Sequence, residues 1–233
     1  MPRFVLVSDT HNMLDQIILP EGDILLHAGD ATMTGDIPEI KMFNHHLGNI
    51  KHKFKHIVYV PGNHDFCMQD FPDIRHLMID QAIVLIDEYI DLLGYRIYGS
   101  PWQPWYYDWA FNFPENDKNL RVARETWAKI PDNTDILITH GPPYMMLDKV
   151  AHSRSNQDPH VGCKALSERI DQLPNLLVHM FGHIHERYGQ IQTSKVHFVN
   201  ASLCTLQYRP TNAPIVIDLP ERVQQVKDYE SGS

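Results

Sequence analysis

The sequence predicts an α/β fold, a four-layer sandwich of two packed, mixed β-sheets with helices on the outer faces. Three observations point there. Short β-branched apolar runs alternate with helical stretches, the pattern of βαβ units and parallel strands. Such runs are many, enough for two sheets rather than one. Five of them stop at a Gly or small residue, and a metal-type side chain follows at once.

Taken in order, strands are expected over residues 3–8, 23–27 and 56–60, with a helix over about 36–49 between the second and third. Residues 82–86, 89–93 and 95–99 read as short strands separated by Asp-Glu and Gly turns, an antiparallel meander. A Pro- and Trp-rich loop spans 100–113, and a helix starts near Pro114-Glu115 and runs to 129, with Pro early as helices prefer. A buried strand follows over 135–139 and a helix over 161–173. Four more strands, 176–181, 189–192, 196–200 and 214–219, close a single domain of residues 1–220. The polar tail 221–233 is expected to be loosely held.

Composition narrows the function. The chain has 233 residues and a net charge of −9, which argues against a nucleic-acid surface, since that needs a basic stripe to neutralise phosphates. The one basic cluster, residues 51–56, reads as a solvated helix end. Three cysteines, Cys67, Cys163 and Cys204, stand far apart with no C-x-x-C, as expected in a reducing compartment; we expect a cytoplasmic protein. No stretch approaches the ~20 apolar residues of a membrane span. No secretory leader is expected, because a candidate ligand already stands at Asp9.

The motifs carry the chemistry. Asp9 and His11 form Asp-x-His after the first strand, weak alone, and Gly29-Asp30 after the second is weaker still. Gly62-Asn63-His64-Asp65 is stronger: an amide oxygen, an imidazole and a carboxylate on one Gly-initiated turn. Gly182-His183-Ile184-His185 sets two imidazoles around one residue where Gly permits the turn. With Thr139-His140, these loops bring hard oxygen and imidazole ligands to the ends of five strands, where open α/β sheets gather their sites. The pattern points to a multinuclear metal hydrolase.

In this order, Asp-x-His, Gly-Asp, Gly-Asn-His-Asp, Thr-His-Gly and Gly-His-x-His resemble the calcineurin-like metallophosphoesterase superfamily. Gly99-Ser100-Pro101-Trp102, Trp109-Ala110-Phe111-Asn112, Thr139-His140-Gly141-Pro142-Pro143, Val161-Gly162-Cys163 and Gly182-His183-Ile184-His185-Glu186 resemble, more narrowly, the branch of metallophosphoesterase domain-containing proteins. The resemblance implies two metal ions. One would take Asp9, His11 and His185, the other Asn63, His140 and His183, with Asp30 reaching both. Imidazole and oxygen donors suit Mn, Fe or Zn rather than Ca²⁺. Two ions roughly 3.5–4 Å apart would make a shared water acidic enough to attack near neutral pH. His64 is then free to protonate the leaving alkoxide, with Asp65 orienting it, or else merely buttresses Asn63.

Protein phosphatases of the superfamily follow Gly-Asp with Asp-Arg-Gly, whereas Gly29-Asp30 continues as Ala31-Thr32-Met33. The expected substrates are therefore small phosphodiesters, (cyclic) nucleotides foremost. The alternatives are a phosphomonoesterase or pyrophosphatase, and a nucleotide-binding regulator with weak turnover. Trp102, Trp105, Tyr106, Tyr107 and Trp109 either pack their loop or stack a nucleobase. Arg187 either reaches a phosphate or is an ordinary surface residue, and Arg154 and His160 lie on a polar loop, 148–160, at the rim. Cys67 is expected to pack, His27 to sit in the core or behind a ligand, and His45, His46, His52 and His56 to lie at the surface. Metal identity, physiological substrate and oligomeric state are left open.

Overall fold

Along the first strand Phe4 and Leu6 face one way and Val5 and Val7 the other, and all four are buried. A strand without a wet face belongs in the middle of a layered structure. The computed structural model, which describes residues 1–150 and 159–222, shows those layers. Its strands are β1 (Arg3–Val7), β2 (Ile24–His27), β3 (His56–Tyr59), β4 (Ile83–Val84), β5 (Glu88–Leu92), β6 (Tyr95–Ser100), β7 (Ile136–Thr139), β8 (Val178–Phe181), β9 (Gly189–Gln192), β10 (His197–Asn200) and β11 (Ile215–Asp218). Its helices are α1 (Ile37–Ile50), α2 (Phe66–Asp70), α3 (Arg75–Met78), α4 (Arg121–Trp127) and α5 (Lys164–Asp171).

The strands form two sheets, β11-β1-β2-β3-β4 and β5-β6-β7-β8-β10-β9. Both are mixed: the inner pairings are parallel, while β11, β5 and β9 run antiparallel to their neighbours. Phe4, Leu6, Ile24, Leu26 and Val58 meet Ile97, Ile136, Ile138, Val178 and Met180 between the sheets. The opposite face of the first sheet, with Val5, Leu25 and Tyr59, packs on Ile40, Phe43 and Leu47 of α1. The opposite face of the second packs Leu137, Phe181 and Phe198 on Trp127 of α4 and Leu166 and Ile170 of α5. The period-2 alternation of the strands thus builds the expected four layers.

Helix α1 begins where its sequence says it should. The Asp36 carboxylate accepts the Glu39 N–H at 2.9 Å, and Pro38 occupies the first turn. Helix α4 corrects the expected start at 114–115, for it begins only at Arg121. Asn119 and Leu120 are left-handed, with φ of 57° and 55°, and break the chain direction. Asp117 then caps the later start by accepting the N–H groups of Val122 and Ala123 at 2.9 and 3.0 Å. The expected meander is also divided. β5 and β6 form the antiparallel hairpin, but β4 crosses to the first sheet and pairs in parallel with β3.

Among the described residues no helix is long and apolar enough to cross a membrane. The tail beyond residue 222 and Arg154 lie outside the described residues. All three cysteines are buried and unpaired, and Cys67 packs in the core as expected. His45 and His52 are exposed, while His46 and His56 are half-buried.

Candidate metal centre

Each expected ligand lies in the loop directly after a strand. Asp9 and His11 follow β1, Asp30 follows β2, Asn63, His64 and Asp65 follow β3, His140 follows β7, and His183 and His185 follow β8. The parallel strands of both sheets deliver their carboxyl ends to one crevice. The chain curls sharply to do so: Asp9, His11, Asp30 and His183 have φ of 54°, 40°, 52° and 67°. Side-chain-bearing residues adopt that left-handed conformation at a cost, and functional sites collect it.

The loops brace one another across the sheets. His183 N–H donates to the Asp9 carboxylate at 3.1 Å, His64 N–H to Asp30 Oδ1 at 2.8 Å and Gly182 N–H to the His140 carbonyl at 2.8 Å. Gly62 and Gly182 are required for this closeness, since a Cβ would overlap the Asp30 carboxylate at the first and that of Asp9 at the second.

Three overlapping sets of side chains could hold a cation: Asp9, His11 and His185; His11, Asp30 and His64; and Asp30, His140 and His183. In each set the donor atoms lie within 4.8 Å of one another. The histidines are held with their free nitrogens inward. Nδ1 of His11, His64, His140 and His185 meets the carbonyls of Thr32, Met33, Ala28 and Thr205 at 3.1, 2.6, 2.8 and 3.0 Å. A carbonyl only accepts, so each Nδ1 carries a proton, and each Nε2 is turned to the crevice, a lone pair there whenever the ring is neutral.

With the rings neutral, acceptor faces acceptor there. His11 Nε2 lies 3.3 Å from His185 Nε2, which lies 3.3 Å from Asp9 Oδ1. His140 Nε2 lies 2.8 Å from Asn63 Oδ1 and 3.3 Å from Asp30 Oδ2. Asp30 Oδ2 is also 3.9 Å from His11 Nε2, so this carboxylate stands between the two halves of the site. Only a cation or a proton relieves such an arrangement. The donor set fits two divalent metal ions.

Electrostatics agree. Burial alone would raise the carboxyls of Asp9 and Asp30, but the imidazoles of His185 and His140, respectively, outweigh it and hold both below the usual range. Burial lowers His140, yet Asp30 reverses this and carries it up to about 9. His11 is pushed down to about 4 and His183 to about 3 by burial, which keeps these rings neutral and ready to bind an ion.

Asp65 departs from its expected role. Its carboxylate faces away from His64, accepting from Gly62 N–H at 2.7 Å, Thr32 N–H at 3.0 Å, Thr32 Oγ1 at 2.7 Å and Ala31 N–H at 3.3 Å. It fastens the β2 loop to the β3 loop, and the Met33 carbonyl orients His64 instead. Trp102 also turns from the site, donating from Nε1 to Asp87 at 3.1 Å and packing on Phe111 and Phe113. Trp109 and Tyr106 do meet it, their centroids 4.2 Å from His64 and 6.0 Å from His183. Trp105 and Tyr107 are partly exposed, and Tyr107 packs near Trp109. Arg187 donates to the Lys149 carbonyl at 2.6 Å, and His160 pairs with Asp148 at 2.5 Å.

Several site residues escaped the motif reading. Ser202 donates to Asp9 Oδ2 at 2.7 Å; it follows β10, which ends in the same crevice, so the strand-end rule could have found it. His179 Nε2 likewise meets Thr139 Oγ1 at 2.8 Å, while His27, expected in the core or behind a ligand, is buried with Nε2 3.0 Å from Thr10 Oγ1. Each thus braces a threonine adjacent to a ligand. Tyr208, whose ring lies 4.8 Å from that of His11, carries no sequence signal.

Two mixed sheets whose parallel strands converge on carboxylates and inward-facing imidazoles define a candidate centre for two metal ions. The family model described as calcineurin-like phosphoesterase matches residues 2–187. The chain belongs to this family. Metallophosphoesterase domain-containing protein 1 of Homo sapiens is 42% identical, over 94% of this chain and 71% of its own length. UPF0046 protein C25E10.12 of Caenorhabditis elegans is 32% identical, over 94% of this chain and 81% of its own. A dimetal phosphatase structure from Danio rerio covers 86% of this chain and 87% of its own at 12% identity, with a TM-score of 0.45.

Proposed function

We propose that this protein hydrolyses small phosphodiesters, nucleotides foremost, with two transition-metal ions drawn from Mn, Fe or Zn. Asp9, His11 and His185 would hold one ion and Asn63, His140 and His183 the other, with Asp30 reaching both. When bound, such ions polarise phosphoryl oxygens as Lewis acids and supply a nucleophile by acidifying water. The observation that carries the reading is the position of Asp30, whose Oδ2 lies 3.3 Å from His140 Nε2 and 3.9 Å from His11 Nε2.

The chain's own contribution to bond breaking falls to His64. Its Nδ1 is held by Met33, and its Nε2 points inward, 4.0 Å from Asp30 Oδ2. As the P–O bond breaks, the electron pair leaves on the alcohol oxygen, which takes a proton from Nε2 of the imidazolium. Asp65 acts at one remove, by fastening the loop that carries His64.

The substrate class rests on two features. Gly29-Asp30 continues as Ala31-Thr32-Met33 rather than Asp-Arg-Gly, which sets the chain apart from the protein phosphatases of the superfamily. Trp109 and Tyr106 at the mouth suit the flat face of a nucleobase. The three unpaired cysteines suit the reducing cytoplasm.

The test compares initial rates on bis(4-nitrophenyl) phosphate and 4-nitrophenyl phosphate with Mn²⁺, beside 2′,3′- and 3′,5′-cyclic AMP. Diester turnover exceeding monoester turnover, and lost in His185→Ala, is the expected result. Faster monoester turnover would replace this reading with a phosphomonoesterase. No turnover with metals bound would turn the reading to a nucleotide-binding regulator.

A further inference from the structure

Tyr208 closes a tight turn over residues 205–208. Its N–H donates to the Thr205 carbonyl at 2.8 Å, Gln207 N–H donates to Thr205 Oγ1 at 3.3 Å, and Thr205 N–H donates to the Arg209 carbonyl at 2.9 Å. The same Thr205 carbonyl receives Nδ1 of His185 at 3.0 Å. One short turn therefore orients a site imidazole and carries an aromatic ring over it. Tyr208 has φ 54°, a conformation that Gly or Asn adopts readily and a bulky side chain does not. The ring is placed against the preference of its own backbone.

That placement is over the site. The ring centroid lies 4.8 Å from His11, 5.5 Å from His185 and 6.4 Å from His64, and the residue is still 37% exposed. Trp109 approaches the same His64 from another loop, at 4.2 Å. Both rings stand edge-on to the imidazole, at 74° and 70°. His64 is thus approached by aromatic rings from two separate loops.

Resting on the reading of His64 as the acid for the leaving group, we propose that Tyr208 and Trp109 are specificity-determining residues, the two walls of a leaving-group slot. The slot selects phosphodiesters whose departing alcohol carries a flat aromatic or heteroaromatic group. A flat group stacks against an aromatic ring and a puckered one of equal size does not. Stacking of this kind supports a preference of about tenfold.

Phenyl methylphosphonate and cyclohexyl methylphosphonate, alike in charge and nearly so in size, separate flatness from bulk. Each is measured as a competitive inhibitor of bis(4-nitrophenyl) phosphate hydrolysis by the Mn²⁺-loaded protein, and by calorimetry. Wild type should bind the phenyl ester about tenfold tighter. Tyr208→Asn, which suits the left-handed backbone, and Trp109→Leu should each bring the ratio toward one, and Tyr208→Phe should keep it. A wild-type ratio near one, or variants that weaken both esters equally, would overturn the slot. If Tyr208→Asn loses metal, Trp109→Leu decides. Failure to hydrolyse any diester refutes the phosphodiesterase reading separately, and the calorimetric ratio still judges the slot.

Discussion

Nε2 of His11 and Nε2 of His185, 174 residues apart in sequence, face one another at 3.3 Å. Each ring has its Nδ1 proton committed to a backbone carbonyl, so in their neutral forms two lone pairs point at the same place. A cation between them would relieve that repulsion, as the proposed metal centre requires. Binding to the folded chain alone stabilises it, by about 4 kcal/mol at a thousandfold excess over Kd. Chelation should therefore lower Tm by roughly 8–16 °C, and scanning calorimetry with and without EDTA checks this. In His185→Ala the chelator should have a much smaller effect.

His64→Ala should separate substrates by leaving group. With an alkoxide leaving group the loss of the acid should cost about 10²–10⁴ in kcat/KM. With 4-nitrophenolate, which departs without a proton, the loss should stay under about tenfold. Equal losses on both would return His64 to a purely structural part beside Asn63.

Asp65→Ala should act on stability. The variant strands N–H groups of Gly62, Ala31 and Thr32 that its carboxylate now satisfies, at a cost of about 3 kcal/mol. Urea denaturation reads that loss. Because Asp65 does not touch His64, the ratio of rates between good and poor leaving groups should match wild type.

Acid should loosen the fold through histidines behind the site. Burial pushes His179 down to about 3, far under the ~6.5 of a solvated imidazole. Between those values the unfolded chain takes the proton and the folded chain does not, so stability is complete above about 6.5 and is lost as pH falls toward about 3. His27, also pushed to about 3 by burial, adds in the same direction. Urea midpoints of the metal-free protein at pH 7.5 and 4.5 measure the effect. His179→Gln should be less stable at pH 7.5 but lose about 2 kcal/mol less on acidification.

The candidate ligands are legible in the sequence because one local signal accompanies each: a buried strand, a small residue, then an oxygen or imidazole donor. Spacing cannot set direction within a turn. Asp65 adjoins His64 in sequence, yet its carboxylate points back to Thr32 and Gly62. Nor can a short apolar run declare its partner, so Ile83 and Val84 joined β3 instead of the β5–β6 hairpin. The late start of α4 depends on Asp117 reaching Val122 and Ala123 after a left-handed break, a tertiary choice invisible to periodicity. Tyr208 sits in a turn whose φ no residue type there announces, and only the folded chain brings its ring to His11.

Asp30 is the carboxylate common to both halves of the proposed site. Metal analysis and electron paramagnetic resonance of the Mn²⁺-loaded protein test this most directly, comparing wild type with Asp30→Ala. Two ions per chain with a spin-coupled spectrum in wild type, and loss of coupling with at most one ion in the variant, is the predicted result. A single uncoupled ion in wild type, or an unchanged coupled pair in Asp30→Ala, would contradict it.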